Sequence, residues 1–238
     1  MTRILVLGGT GLLGRPVVDR LVADGRQVRV LSRDPGRARA RLPASVEVVG
    51  GDVTDPGGVA SAASGCDGVH ISVGGPVDRA SAEVVAQVAP GVGVERVTYV
   101  SGSTVDERNR WFPMVAQKLD AEAALIASGV PYTILRPTWP MEQLPRFVRD
   151  GRATVIGDRL PGWRWFAAAD LARMASTAIT SPQAAGRVCY VHGPQALSMV
   201  EALREYCAAA HPGVEVGVVP VAAARALASQ SGDPMLSM

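Results

Sequence analysis

The sequence predicts an α/β fold, a doubly wound parallel sheet with helices on both faces and a small C-terminal lobe. Three observations carry this expectation. Short apolar runs alternate with amphipathic ones from Ile4 to Pro137, the order that builds βαβ units. The first run, Ile4-Leu5-Val6-Leu7, leads through a glycine-rich turn into the helical run Leu12 to Ala23. At 238 residues the chain is long enough for one such domain with a sizeable core.

The turn is Gly8-Gly9-Thr10-Gly11-Leu12-Leu13-Gly14, and each spaced glycine has a mechanical task. Gly8 turns the chain out of the strand, Gly11 clears the backbone where a pyrophosphate approaches, and Gly14 lets the helix lie close on the sheet. Backbone N–H groups at the helix start, aided by the helix dipole, then face the phosphates. Strand, turn and helix in this order are the setting of a dinucleotide-binding, Rossmann-like fold. The Gly-x-x-Gly-x-x-Gly spacing matches the short-chain dehydrogenase/reductase superfamily, and Gly-Gly-Thr-Gly-Leu-Leu-Gly resembles its atypical, NmrA-like branch. The resemblance implies that Gly8, Thr10, Gly11, Leu12, Leu13 and Gly14 hold a nicotinamide dinucleotide.

The second strand, Gln27 to Leu31, ends at Ser32-Arg33, and this end governs cofactor choice. An acid here would accept from a ribose 2′-hydroxyl, whereas an arginine pairs with a 2′-phosphate. Arg33 therefore points to NADP(H) ahead of NAD(H), with Arg37 as a second contact and Asp34 as a competing ribose ligand. Arg39 and Arg41 read as solvated helix charges. A third strand, Val46 to Val49, precedes Asp52 and Val53; the resemblance assigns Asp52 to the adenine edge, while Asp55 reads as a helix cap. The fourth strand, Asp67 to Val73, ends in small residues that would let Val73 and Gly74 pass beside the phosphates and ribose, with a plain turn as the alternative.

A helix over 77–89 is followed by a fifth strand, Arg96 to Val100, which brings Ser101 and Ser103 to the carboxyl edge of the sheet, where ligands bind. By the resemblance Ser103 is the candidate catalytic serine, Ser101 the alternative and a cofactor contact. The helix from Phe112 to Ser128 carries Lys118, but the position four before it, where catalytic short-chain enzymes place a tyrosine, is Met114. The stretch from Lys118 to Pro137 resembles NmrA-like proteins that keep the lysine without the tyrosine, which implies Lys118 as acid/base or cofactor anchor. Gly129 ends this helix and Pro131 starts the sixth strand.

After Pro137 and Thr138, both expected beside the nicotinamide, the chain builds the substrate side. Trp111, Trp139 and Trp163, with Gln143, are the expected wall of a pocket for a flat or apolar substrate. Asp170 is expected to cap a helix over 171–179. A strand Val188 to Val191, a helix Ser198 to Ala210 and a strand Val214 to Val219 follow, and residues 229–238 read as a mobile tail. The resemblance implies one domain over 1–238 whose lobe combines 138–166 with 187–222.

Twenty-four basic residues nearly balance 22 acidic ones, and aromatic residues are 5% of the chain, so a nucleic-acid surface is not expected. No apolar run approaches the length of a membrane span, the first strand leaves no room for a signal peptide, and three scattered cysteines read as reduced thiols, which together point to the cytoplasm. The three histidines lack metal-ligand spacing, and no metal is expected. The expected function is an NADPH-dependent reductase, monomeric or homodimeric, acting on a small hydrophobic carbonyl, enone or quinone. A non-catalytic NADP(H) sensor and a non-redox isomerase or lyase are the alternatives.

Overall fold

In the computed structural model, residues 2–157 and 161–231 are described. The first stretch of chain runs β1 (Arg3–Leu7), α1 (Gly14–Ala23), β2 (Gln27–Ser32), α2 (Pro35–Arg39), β3 (Glu47–Gly50), α3 (Pro56–Ala63), β4 (Gly68–Ile71), α4 (Asp78–Val88), β5 (Arg96–Val100), α5 (Pro113–Ala127) and β6 (Tyr132–Pro137). It continues with β7 (Val148–Arg149), β8 (Arg152–Ile156), β9 (Trp163–Arg164), α6 (Ala168–Ala178), β10 (Arg187–Val191), β11 (Ala196–Leu197), α7 (Met199–Ala210), β12 (Val216–Val219) and α8 (Val221–Ser231). These elements form two compact units, one of residues 1–138 and 166–191, the other of residues 139–165 and 192–238.

The first unit is built on a seven-stranded sheet in the order β3-β2-β1-β4-β5-β6-β10, with every pair parallel. Strand β1 shows why it is central. Its side chains alternate between two fully buried cores, Leu5 and Leu7 packing with Val59, Val85 and Leu125, Ile4 and Val6 packing with Val17, Leu21 and Leu171. A period of two buried on both faces requires helices on both sides, and α3, α4 and α5 cover one face while α1, α2 and α6 cover the other. Each such buried aliphatic side chain contributes roughly 1.5–3 kcal/mol. The chain order reverses between β1 and β4, so their carboxyl ends open a crevice at the switch point. Gly8 and Ser72 lie there, joined through the Ser72 N–H bond to the Leu7 carbonyl, 2.9 Å.

The second unit holds a three-stranded sheet, β12-β8-β7, and the two-stranded pair β11-β9. Strands β8 and β12 are parallel, whereas β7 and β8 form a hairpin through Asp150 (φ 50°) and Gly151 (φ 70°). Two successive positive φ values are the backbone of a type I′ turn, which Asp-Gly adopts at little strain. Leu144, Val155, Trp165, Ala202 and Leu203 make its core.

The structure corrects several expectations. Strand β10, assigned from sequence to the lobe, pairs with β6 at the edge of the main sheet; its outward Val188 and Tyr190 are exposed, so its pattern carried no sign of which sheet it joins. Asp170 is the third residue of α6 and pairs with Arg173 rather than capping, because the helix begins at Ala168. Leu12 belongs to the turn, and α1 starts at Gly14. The tail expected over 229–238 begins inside α8, which runs to Ser231; residues 232–238 lie outside the described residues. Among the described residues no helix is long and apolar enough to cross a membrane.

Candidate functional site

The turn after β1 is fixed by backbone contacts that only glycine permits. Gly8 has φ +82°, and a Cβ there would lie 2.5 Å from the Ser72 carbonyl oxygen. A Cβ on Gly14 would lie 2.2 Å from the Gly8 carbonyl oxygen, so helix α1 can start this close to the strand only without a side chain. The Gly11 N–H donates to Gly8 O at 2.9 Å and closes the turn. No side chain caps α1, a property it shares with α4, α5 and α6, but α1 opens from the glycine turn at the switch point. A helix start left without a side-chain acceptor is one that an anion can fill.

Beside this turn lies a cavity of about 620 Å³, within the size range of small-molecule sites. Gly8, Thr10, Arg33, Arg37, Asp52, Val53 and Val73 line it, as do Ser32, Asp34 and Arg41. Arg33, Arg37 and Arg41 enter no ion pair among the described residues, although two carboxylates are close. Asp34 is engaged as the α2 cap, accepting from the Arg37 N–H at 2.9 Å. Asp52 accepts from the Thr54 N–H at 2.9 Å and the Thr54 hydroxyl at 2.7 Å, bonds that hold its carboxyl below the usual range and leave it ionised. Arg41, read from sequence as a solvated charge, also lines the cavity; it lies just past the end of α2, where its N–H donates to Ala38 O at 3.0 Å.

Further along the sheet edge the two serines differ. Buried Ser101 donates its hydroxyl to Glu122, whose carboxylate also pairs with Arg136 at 2.5 Å. That network joins β5, α5 and β6 and raises the Arg136 guanidinium pKa, chiefly through the hydrogen bonds the guanidinium donates to Glu122. The Ser103 hydroxyl has no hydrogen-bond partner among the described residues; its backbone N–H donates to Pro137 O at 2.8 Å, which brings Ser103 and Pro137 side by side. Thr138 is tied to Val191 O by its N–H at 3.0 Å.

Lys118 turns inward. Its ammonium donates to Asp78 Oδ2 at 2.7 Å and Val100 O at 3.2 Å, with the Tyr99 hydroxyl at 3.5 Å, and Tyr99 in turn donates to Asp78 Oδ1 at 2.9 Å. Lys118 and Asp78 side chains are only 13% and 4% exposed. Burial, then the neighbouring Asp78 charge, raises the Tyr99 phenol far above its ordinary range, and this fully buried tyrosine, its hydroxyl committed to Asp78, does not stand in for the one missing at Met114. Sequence reading did not find Asp78, since an acid at a helix start resembles a dipole partner. Nor did it find His70, fully buried between Thr98 Oγ1 at 2.7 Å and Ser72 Oγ at 2.6 Å.

The expected substrate residues fall in different units. Trp111 lies in the first, 80% exposed, its ring 5.9 Å from that of Phe112. Trp139 and Trp163 lie in the second with ring centroids 6.2 Å apart, and Trp139 also meets the edge of buried Trp165 at 6.2 Å. Trp165 donates to Leu197 O at 2.9 Å and is a core residue, and Gln143 is half-buried, its N–H on Pro140 O at 3.1 Å.

An all-parallel sheet that reverses its order beside an uncapped glycine turn defines the class: a dinucleotide-binding α/β protein. Comparison with known proteins narrows it, for the chain belongs to the NAD(P)H-binding family, whose model matches residues 8–182. It is 33% identical over 201 residues to the (4-alkanoyl-5-oxo-2,5-dihydrofuran-3-yl)methyl phosphate reductase of Streptomyces griseus, covering 83% of this chain and 70% of that protein. It is 27% identical over 242 residues to the NAD(P)H azoreductase of Xenophilus azovorans, covering 97% and 82%. The fold is similar to that of an NADPH-dependent quinone oxidoreductase from Escherichia coli solved with NADPH, with TM-score 0.78, 23% identity and coverage of 97% and 83%.

Proposed function

We infer that this chain is an NADPH-dependent oxidoreductase that reduces a small apolar carbonyl, enone or quinone. The observation that carries the reading is the cavity joining the glycine turn to Arg33, Arg37 and Arg41, since an adjacent anion-ready backbone and guanidinium cluster suit a dinucleotide with a 2′-phosphate. The Streptomyces relative, by its name, reduces a dihydrofuranone bearing an alkanoyl group and a methyl phosphate, which supports an activated carbonyl compound as the substrate class.

When bound, the nicotinamide would supply the hydride. The turn from Gly8 to Gly14 would hold the pyrophosphate, Arg33 and Arg37 the 2′-phosphate, and Asp52 with Val53 the adenine. Ser103, with its hydroxyl uncommitted, is the better of the two serines to orient a carbonyl oxygen, because Ser101 is engaged with Glu122. Lys118 suits an anchoring role rather than that of the acid: Asp78 and Val100 already take two of its hydrogens. The proton delivered to a reduced acceptor then comes from water.

The inward Lys118 and the absence of a phenol at Met114 also favour a second reading, a binder that senses NADP(H) without turnover. One experiment separates them. Purified protein with NADPH is offered a panel of quinones, enones and aromatic carbonyls, and loss of the reduced-nicotinamide absorbance is followed. Multiple turnovers with any acceptor support the reductase; saturable NADPH binding with no turnover across the panel supports the sensor.

A further inference from the structure

In the second unit, a cavity of about 460 Å³ is lined by Arg146, Phe147, Arg149, Arg152 and Thr154. Arg149 and Arg152 face each other directly across the two-residue Asp150-Gly151 turn, and Arg146 comes from the helical turn Met141–Phe147 just before β7. Like charges directly opposite in an antiparallel pair repel, and the two-residue turn fixes their backbone positions opposite each other. None of the three forms an ion pair or side-chain hydrogen bond among the described residues, Asp150 included.

Of the other exposed arginines, Arg20, Arg79, Arg108, Arg110 and Arg173 each pair with a nearby acid, while Arg187, Arg204 and Arg225 also form no ion pair among the described residues. The other group that shares a cavity without ion pairs is Arg33, Arg37 and Arg41, where a phosphate is expected. Three arginines on one cavity supply forked donors suited to a phosphate's oxygens, the Thr154 hydroxyl adds one more, and half-buried Phe147 offers an apolar surface beside them.

We propose that Arg146, Arg149 and Arg152 form an anion site for the phosphate monoester of a small apolar molecule. The site stands on the second unit by itself, and its test reads binding rather than turnover, so it can fail or hold independently of the reductase reading. Phenyl phosphate is titrated calorimetrically into Arg33→Gln/Arg37→Gln protein, which weakens anion uptake at the nucleotide cavity, and into the same protein also carrying Arg149→Gln and Arg152→Gln. Saturable binding is expected in the first and an affinity at least about tenfold lower in the second, the scale of losing charge-assisted hydrogen bonds. Since both substituted side chains are exposed and their like charges repel, the second protein should melt at the same temperature as the first or slightly above it. NADPH affinity of the Arg149→Gln/Arg152→Gln protein should match wild type. Absence of saturable phenyl phosphate binding in the first protein, or equal affinity in both, would overturn the site; equal affinity for inorganic phosphate would overturn the apolar ester as its ligand.

Discussion

The Lys118 ammonium and the Asp78 carboxylate meet at 2.7 Å across 40 residues of sequence, both nearly buried, with the Tyr99 hydroxyl within hydrogen-bond reach of each. Breaking a buried pair by removing one charge leaves the other stranded, which costs about 3–5 kcal/mol, while removing both together can cost far less. Asp78→Asn and Lys118→Met are each expected to lose stability on this scale, and the double variant less than their sum. Urea denaturation of the four proteins measures the coupling. Additive losses would mean that the contact does not bind the two elements α4 and α5 together.

Arg33 is expected to set cofactor preference, because it reaches the cavity unpaired while Asp34, the acid that could have favoured a plain ribose, is engaged as a cap. Arg33→Ala should weaken NADPH binding by about tenfold or more and alter NADH binding by less than about twofold. A fluorescence titration with both cofactors decides. Equal losses would remove Arg33 from the 2′-phosphate and leave the preference to Arg37 and Arg41.

The sheet and the turn could be read from sequence because their determinants are local: β-branched runs, spaced glycines, and one arginine at a strand end. What could not be read arises from contacts between distant segments. Asp78 and Lys118 look like ordinary helix charges until the sheet brings α4 beside α5. Ser101 and Ser103 are alike in sequence, and only the Glu122 carboxylate 21 residues away distinguishes them. The Asp150-Gly151 hairpin was a local signal, yet its flanking arginines hide the alternation that usually marks paired strands.

Burial lowers the His70 pKa from 6.5 to about 3, and its two ring nitrogens meet only hydroxyl groups. Between these values the unfolded chain takes up a proton that the folded protein refuses, so stability is full above pH 6.5 and falls as the pH drops toward about 3. The slope for one such group is about 1.4 kcal/mol per pH unit. Between about pH 6 and pH 4.5, wild type should therefore lose about 2 kcal/mol more than His70→Gln, whatever the offset between the two at neutral pH. Denaturant midpoints across this range provide the test, and parallel curves would show that His70 protonates in the folded state as readily as in the unfolded one.

Gly14 and Gly74 make opposite demands on space although both were assigned to the cofactor from sequence. A Cβ at Gly14 would overlap the Gly8 backbone at 2.2 Å, where neither carbonyl nor helix can give way without opening the turn; a Cβ at Gly74 would meet nothing within 4 Å beyond its chain neighbours. Gly14→Ala is expected to cost about 2 kcal/mol or more in stability and to abolish tight NADPH binding, since the phosphate-facing N–H groups move with the turn. Gly74→Ala should change stability by less than about 0.5 kcal/mol. Its effect on affinity then reports the cofactor's path: if NADPH binding falls while the melting curve is unchanged, the open space beside Gly74 is where the nucleotide passes. If affinity is also unchanged, Gly74 serves only the turn into α4.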